Sequence, residues 1–206
     1  LEFERFCKQL KEHLNGPLPG VEAQFRMAPA QRRPLPNFRK PPKKARTAAV
    51  LALFIPVDKQ PHLVLTERNR YPGTHSGQIS FPGGAREPED RSFTHTALRE
   101  TYEEIGVAPE SIEVLGALTP LYIPPSNFWV QPYCGICRKA PEFKLQEEEV
   151  ARLLITPWRE FNQCYKAQDL EVRPDFWAPA YPLQEGPVWG ATAMMISELA
   201  HLEVKL

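Results

Sequence analysis

Apolar residues Phe3, Phe6, Cys7, Leu10 and Leu14 recur at three- and four-residue spacing among charged neighbours, which predicts an amphipathic helix at the start of the chain. The turn-rich stretch LNGPLPG stops it. Residues 48–54 form a continuous apolar run and residues 62–66 a second, and Pro56, Asp58 and Pro61 between them predict two strands joined by a turn. Residues 78–81 alternate briefly and end at Pro82-Gly83-Gly84. From Ser92 to Ile105 the period is helical, with Phe93, Thr96, Ala97, Thr101 and Ile105 close to one face and Gly106 as the C-terminal stop. Residues 112–118, 128–137 and 150–155 read as further strands. A helix is expected to open at 157–161, since proline is tolerated in a first turn. A closing helix is expected from Trp189 to about Leu202, with Trp189, Ala193, Ile196 and Ala200 on one stripe. No internal repeat is present. Strands and helices without strict alternation favour an α+β fold or a mixed sheet sandwiched by helices.

The 206 residues suffice for one domain with an added terminal element. The expected division is a helical N-terminal extension at 1–31, a linker at 32–46 and the main domain at 47–206. The linker, RRPLPNFRKPPKKAR, holds seven basic residues, four prolines and no acid. It reads either as an extended solvated spacer or as a phosphate-attracting arm. The 23 prolines, about twice the usual share of roughly 5%, are spread among foldable apolar segments and indicate stiff loops rather than disorder.

Twenty-five Lys and Arg balance 25 Asp and Glu, so no global field marks a nucleic-acid or membrane binder. No apolar run approaches the roughly 18 residues of a membrane span, and the first helix carries charges unlike a signal peptide. Of the four cysteines only Cys134 and Cys137 have metal-like spacing, and no second ligand pair matches it. On a strand their side chains would face opposite ways, so reduced structural cysteines are expected. These features together lead to the expectation of a cytoplasmic protein, with a homodimer as the assembly to be considered.

Candidate chemistry concentrates in FPGGAREPEDRSFTHTALRETYEEIGV, residues 81–107. Glu100, Glu103 and Glu104 stand at i, i+3 and i+4, so their like charges share one helix face and destabilise it unless relieved. A solvated acidic face is the ordinary reading of such a triplet. Carboxylate oxygens also suit Mg²⁺ or Mn²⁺, hard cations that keep positions open for water and phosphate. Gly83 and Gly84 let the main chain turn tightly and approach an anionic ligand.

The segment resembles the Nudix box, G-x5-E-x7-R-E-U-x-E-E-x-G-U with U apolar, through Gly84, Arg99, Glu100, Glu103, Glu104, Gly106 and Val107. Chance would supply six such fixed positions at on the order of 10⁻⁷ per starting point. The chain departs from the pattern in three places. Asp90 replaces the early glutamate, eight residues rather than seven separate it from Arg99, and Thr101 takes an apolar site. The insertion and the aspartate are similar to the coenzyme A diphosphatase branch of the family. That branch carries an upstream L-L-T-x-R, nine residues before G-x-x-x-F-P-G-G. Val64-Leu65-Thr66-Glu67-Arg68 and Gly77 to Gly84 reproduce this spacing, whereas Gly73 stands where a second arginine is expected and Arg70 lies nearby.

The resemblance implies an α/β/α sandwich with a mixed sheet and metal-dependent hydrolysis of a diphosphate joined to a nucleoside. Coenzyme A or an acyl derivative is the first substrate; ADP-ribose, dinucleoside polyphosphates and a non-catalytic nucleotide-binding module are the alternatives. It further implies Glu100, Glu103 and Glu104 as ligands of Mg²⁺ or Mn²⁺ and Arg99 as a brace on a glutamate. Arg68, Gly83 and Gly84 are the expected substrate contacts, with a structural ion pair as the other reading of Arg68. The general base stays open: Glu147, Glu148 and Glu149 are candidates whose ordinary role is a solvated turn. His75 and His95 read as surface residues. The stiff segment Leu121 to Trp129 either walls a base or pantetheine pocket or, for Phe128 and Trp129, packs in the core.

Overall fold

A computed structural model describes residues 2–32, 40–69, 77–162 and 168–204. Its centre is β1 (Arg46–Val57), which pairs antiparallel with β2 (Gln60–Arg68) and parallel with β7 (Phe128–Ile136). Asp58 and Lys59, both at positive φ, form the two-residue turn of the first hairpin. Strand β3 (Ile79–Ser80) and strand β8 (Val150–Pro157) pair with β2. Strand β4 (Gly83–Ala85) pairs with β1. Strands β5 (Glu113–Ala117) and β6 (Leu121–Ile123) pair with β7. The result is one mixed eight-stranded sheet.

The unbroken apolar run of β1 has its cause in burial of both faces. Ala49, Leu51, Leu53 and Ile55 belong to a core under helix α3 (Phe93–Ile105), together with Ala97, Ile105 and Val107. Ala52 and Phe54 belong to the opposite core, under helices α1 (Glu2–Leu14) and α5 (Gly190–Ala200). The expected α/β/α sandwich is the observed one. Helix α1 buries the five residues of its predicted stripe. Phe6 packs on Phe54 with ring centroids 4.9 Å apart, and Phe54 meets Trp158 edge-on at 5.2 Å.

Three elements differ from expectation. LNGPLPG leads directly into a second short helix, α2 (Gly20–Phe25), which packs on α5. The helix expected at 157–161 is a single turn, α4 (Arg159–Asn162), because β8 runs on to Pro157. Trp189 ends a strand and stands at the N-cap of the last helix, whose first residue, Gly190, has positive φ. That strand, β11 (Gly186–Trp189), closes a three-stranded antiparallel sheet with β9 (Gln168–Arg173) and β10 (Phe176–Leu183). Helix α5 is buried all round and carries Glu198, which accepts from Gln24 Nε2 at 2.8 Å and from the Gly20 and Thr119 backbone N–H groups at 3.2 Å. A buried carboxylate thus ties α2, the β5–β6 connection and α5 together.

Cys134 and Cys137 are free and buried, one in each core, as strand alternation requires. Cys164, His75, Gly73, Arg70 and residues 33–39 of the basic segment lie outside the described residues. Arg46, its last residue, opens β1 and stacks over Phe128 at 4.3 Å. Among the described residues no helix is long and apolar enough to cross a membrane.

Candidate active site

Helix α3 starts and stops as its sequence dictates. The Ser92 hydroxyl caps the His95 N–H at 3.1 Å, and Gly106 adopts the left-handed conformation with φ of 74°. These ends set its register against β4, so that Glu100 and Glu104, one turn apart, lie over Gly84 and Gly83. A Cβ at Gly84 would collide with the Glu100 carboxylate, and one at Gly83 with the backbone of Ala49 and Val50. The glycine pair therefore lets two layers touch.

Arg99 is the hub of the four box residues. Arg99 and Glu103 face Asp90: Arg99 donates to both Asp90 oxygens at 3.0 Å, to Glu103 Oε2 at 2.8 Å and to the Ala85 carbonyl at 3.1 Å. Asp90 is buried and accepts also from Thr96 Oγ1 and the Glu87 N–H, both at 2.9 Å. Arg99 above all, then these donors, holds its carboxyl well below the ordinary range. His95 Nδ1 lies 2.8 Å from the same carboxylate, so this half-exposed side chain belongs to the brace.

Glu100 sits at the edge of this network, its Oε1 3.0 Å from Arg99 Nη2, and Glu104 lies beyond it. Glu104 is buried and accepts from the Gly83 N–H at 3.3 Å, with Arg68 Nη1 3.9 Å from its other oxygen. Burial pushes its carboxyl up to about 8 against the opposing pull of Arg68 and Gly83, and the charges of Glu100 and Glu149 add to the rise. Glu100 is raised by burial too, more than its 3.0 Å contact with Arg99 lowers it, and Glu103 and Glu149 again contribute. Of the 147–149 run, it is Glu149 whose charge acts on both Glu100 and Glu104. The Asn69 N–H donates to the Glu149 carbonyl at 3.0 Å, anchoring that turn to the end of β2.

Buried Glu104, partly buried Glu100 and neighbouring Glu149 are compensated by Arg68 and by an Arg99 shared with Asp90 and Glu103, which leaves negative charge in surplus. Oxygen donors in that condition fit a hard divalent cation, which would favour the ionised forms that burial disfavours. Glu103 is turned to Arg99, and among the described residues no three His, Cys, Asp or Glu side chains converge as a ready cage.

Beside this face opens a cavity of about 600 Å³. Arg68, Gly83 and Gly84 line one part of it, and Ile123, Pro124, Ser126 and Phe128 another, so the segment Leu121 to Trp129 does wall a pocket, while Trp129 itself is buried. Three buried polar atoms of lining residues have no hydrogen-bond partner among the described residues: Arg68 Nε, Ser80 Oγ and Ser126 Oγ. Such orphans call for a ligand or water. Ser80 and Ser126 carried no sequence signal, being small polar residues at strand and turn positions.

The NUDIX domain profile matches residues 45–177. The chain belongs to the Nudix family. A Nudix hydrolase of Pectobacterium atrosepticum, called uncharacterized Nudix hydrolase NudL, is 38% identical over 171 residues, covering 81% of this chain and 87% of that one. The protein of the same name from Citrobacter koseri is 39% identical, with coverage of 75% and 81%. A Nudix hydrolase structure from Alicyclobacillus acidocaldarius superposes with a TM-score of 0.55 at 18% identity, covering 77% of this chain and 92% of that one, and shares the fold. With its box carboxylates in place, this Nudix protein is a pyrophosphohydrolase. Divalent metal use is general in the family, and this chain has the donor chemistry for it.

Proposed function

We propose that this Nudix hydrolase cleaves the diphosphate linkage of coenzyme A or an acyl derivative, yielding 3′-phospho-adenosine 5′-phosphate and a phosphopantetheine. The carrying observation is Arg68. It ends the upstream signature that resembles the coenzyme A diphosphatase branch, it lines the cavity beside Gly83 and Gly84, and its buried Nε has no partner among the described residues. A guanidinium with a free N–H suits a phosphate oxygen. The apolar walls at Ile123, Pro124 and Phe128 suit an uncharged arm or a base.

Glu100, Glu103 and Glu104 would hold Mg²⁺ or Mn²⁺, which when bound neutralises phosphate charge and lowers the pKa of water. The remaining tasks fall to the chain. Arg68 and the main chain at Gly83 and Gly84 orient the diphosphate. Arg99, fixed by Asp90, sets the position of Glu103 and Glu100. Glu149, outside the box and near enough for its charge to act on Glu100 and Glu104, accepts the proton of the attacking water.

The test is chromatography of products after incubation with Mg²⁺ or Mn²⁺ and coenzyme A, acyl derivatives, ADP-ribose and dinucleoside polyphosphates. Coenzyme A cleaved well ahead of the others is expected. Preference for another diphosphate would discard the substrate, and tight nucleotide binding without turnover would replace it with a binding role.

A further inference from the structure

The cavity has a wall that none of the preceding chemistry uses. The small sheet is absent from the main sheet's hydrogen bonding; it docks through β11 beside β3 and through α5. It brings Arg173, Phe176 and Trp189 to the cavity. Arg173 and Phe176 are paired across the turn between β9 and β10. The guanidinium lies over the Phe176 ring at 4.8 Å and over the Trp189 ring at 5.0 Å, the two rings being 5.7 Å apart and inclined at 51°.

Rings that hold a guanidinium by its face leave its N–H edges free for planar, two-pronged recognition. No carboxylate pairs with Arg173 among the described residues; its strand neighbour Glu171 instead accepts the Asp175 N–H at 2.9 Å. The ordinary role of such a stack is to stiffen a hairpin, worth about 0.5–1 kcal/mol at an exposed site. The cavity lining argues for more. Its charged members are Arg68 and Arg173, with no acidic side chain among them, and the rest is largely apolar. A container with two cations and apolar walls fits a ligand with two separate anionic groups on an uncharged body. The diphosphate accounts for one.

We propose that Arg173, held by Phe176 and Trp189, binds a phosphomonoester that the substrate carries apart from its diphosphate. The proposal rests on the reading that the diphosphate lies at Arg68, and a 3′-phosphorylated nucleoside diphosphate, as in coenzyme A, meets both requirements. Phosphomonoester recognition by the small sheet then selects among nucleoside diphosphates that the metal-binding helix alone treats alike.

The full chain with Mg²⁺ is titrated calorimetrically with AMP and with adenosine 3′,5′-bisphosphate, ligands that differ by one phosphomonoester. The wild type is expected to bind the bisphosphate about tenfold tighter, the value of hydrogen bonds to a charged group. Arg173→Met should bring the two ligands within about twofold of each other while AMP affinity holds. Arg173→Gln, of a size with Met but polar, should do the same, since both substitutions remove the guanidinium charge. Equal wild-type affinities, or a preference that survives both substitutions, would overturn the assignment. A preference lost in the variants, together with a wild type that does not cleave coenzyme A, would leave this subsite standing and remove only the substrate reading.

Discussion

The Asp90 carboxylate and the Arg99 guanidinium meet edge to edge through two 3.0 Å hydrogen bonds, Nε to Oδ1 and Nη2 to Oδ2. Asp90 stands outside helix α3 and Arg99 on it, so this pair fixes the loop to the helix that carries the carboxylates. Arg99 has its remaining nitrogen free to hold Glu103 only because Asp90 takes the other edge. The aspartate with its extra residue of spacing is therefore part of the brace.

Breaking one partner of a buried pair leaves the other uncompensated, so Asp90→Asn is expected to lower unfolding stability by about 3 kcal/mol at neutral pH, measured by urea denaturation. Asp90 is held below its ordinary value of 3.8 in the fold. The stabilisation is complete above that ordinary value and is lost as pH falls below it towards the folded one. The stability gap between wild type and Asp90→Asn should narrow from about pH 4 down to about pH 2. A gap independent of pH there would remove the carboxylate as its source.

Gly83→Ala and Gly84→Ala should separate cleanly. At Gly83 the new methyl meets backbone, at a φ of 146° that side chains rarely adopt, so a loss of at least about 2 kcal/mol is expected. At Gly84 it meets only the end of the Glu100 side chain. Thermal melts should show a change within about 1 kcal/mol for Gly84→Ala, while turnover falls about a hundredfold as Glu100 is displaced.

Glu103 is half exposed, so Glu103→Gln should fold normally and lose turnover; retained activity would sink the metal-site assignment. Glu149→Gln should lower kcat by roughly a hundredfold or more with Mn²⁺ affinity retained, the pattern of a lost proton acceptor. A matching loss of Mn²⁺ affinity, read by electron paramagnetic resonance, would make Glu149 a metal ligand instead.

Cys134 and Cys137 are buried in opposite cores, and burial raises both thiols. Neither should be alkylated by iodoacetamide in the folded protein, and both should react in urea. Peptide mass mapping reads this directly, and zinc protection of the pair would contradict it.

Much of the sandwich was legible because its strands are short, apolar and bounded. The runs at 48–54 and 62–66 became β1 and β2, and Ser92 and Gly106 announced the limits of α3. The small sheet was not legible: β10 holds Pro179 and Pro182 and β11 holds Pro187, residues that argue against strands, and their tolerance depends on which edges pair. The box marked Arg99, Glu100, Glu103 and Glu104, but not that Arg99 joins Glu100 and Glu103 to Asp90, since that depends on a loop residue across the gap. Arg173 and Trp189 had no local motif, because their meeting is made by the pairing of three strands.

The aromatic cluster that receives helix α1 sets an order on synthesis. Phe6 needs Phe54 and Trp158, and Phe161 beside Trp158 meets Tyr181 edge-on at 5.3 Å. At about 5–20 residues per second, a ribosome takes on the order of ten seconds to travel from the first helix to these partners. During that interval the greasy stripe of α1 has nowhere to go, and chains stalled before Trp158 should leave it open to protease while released chains do not.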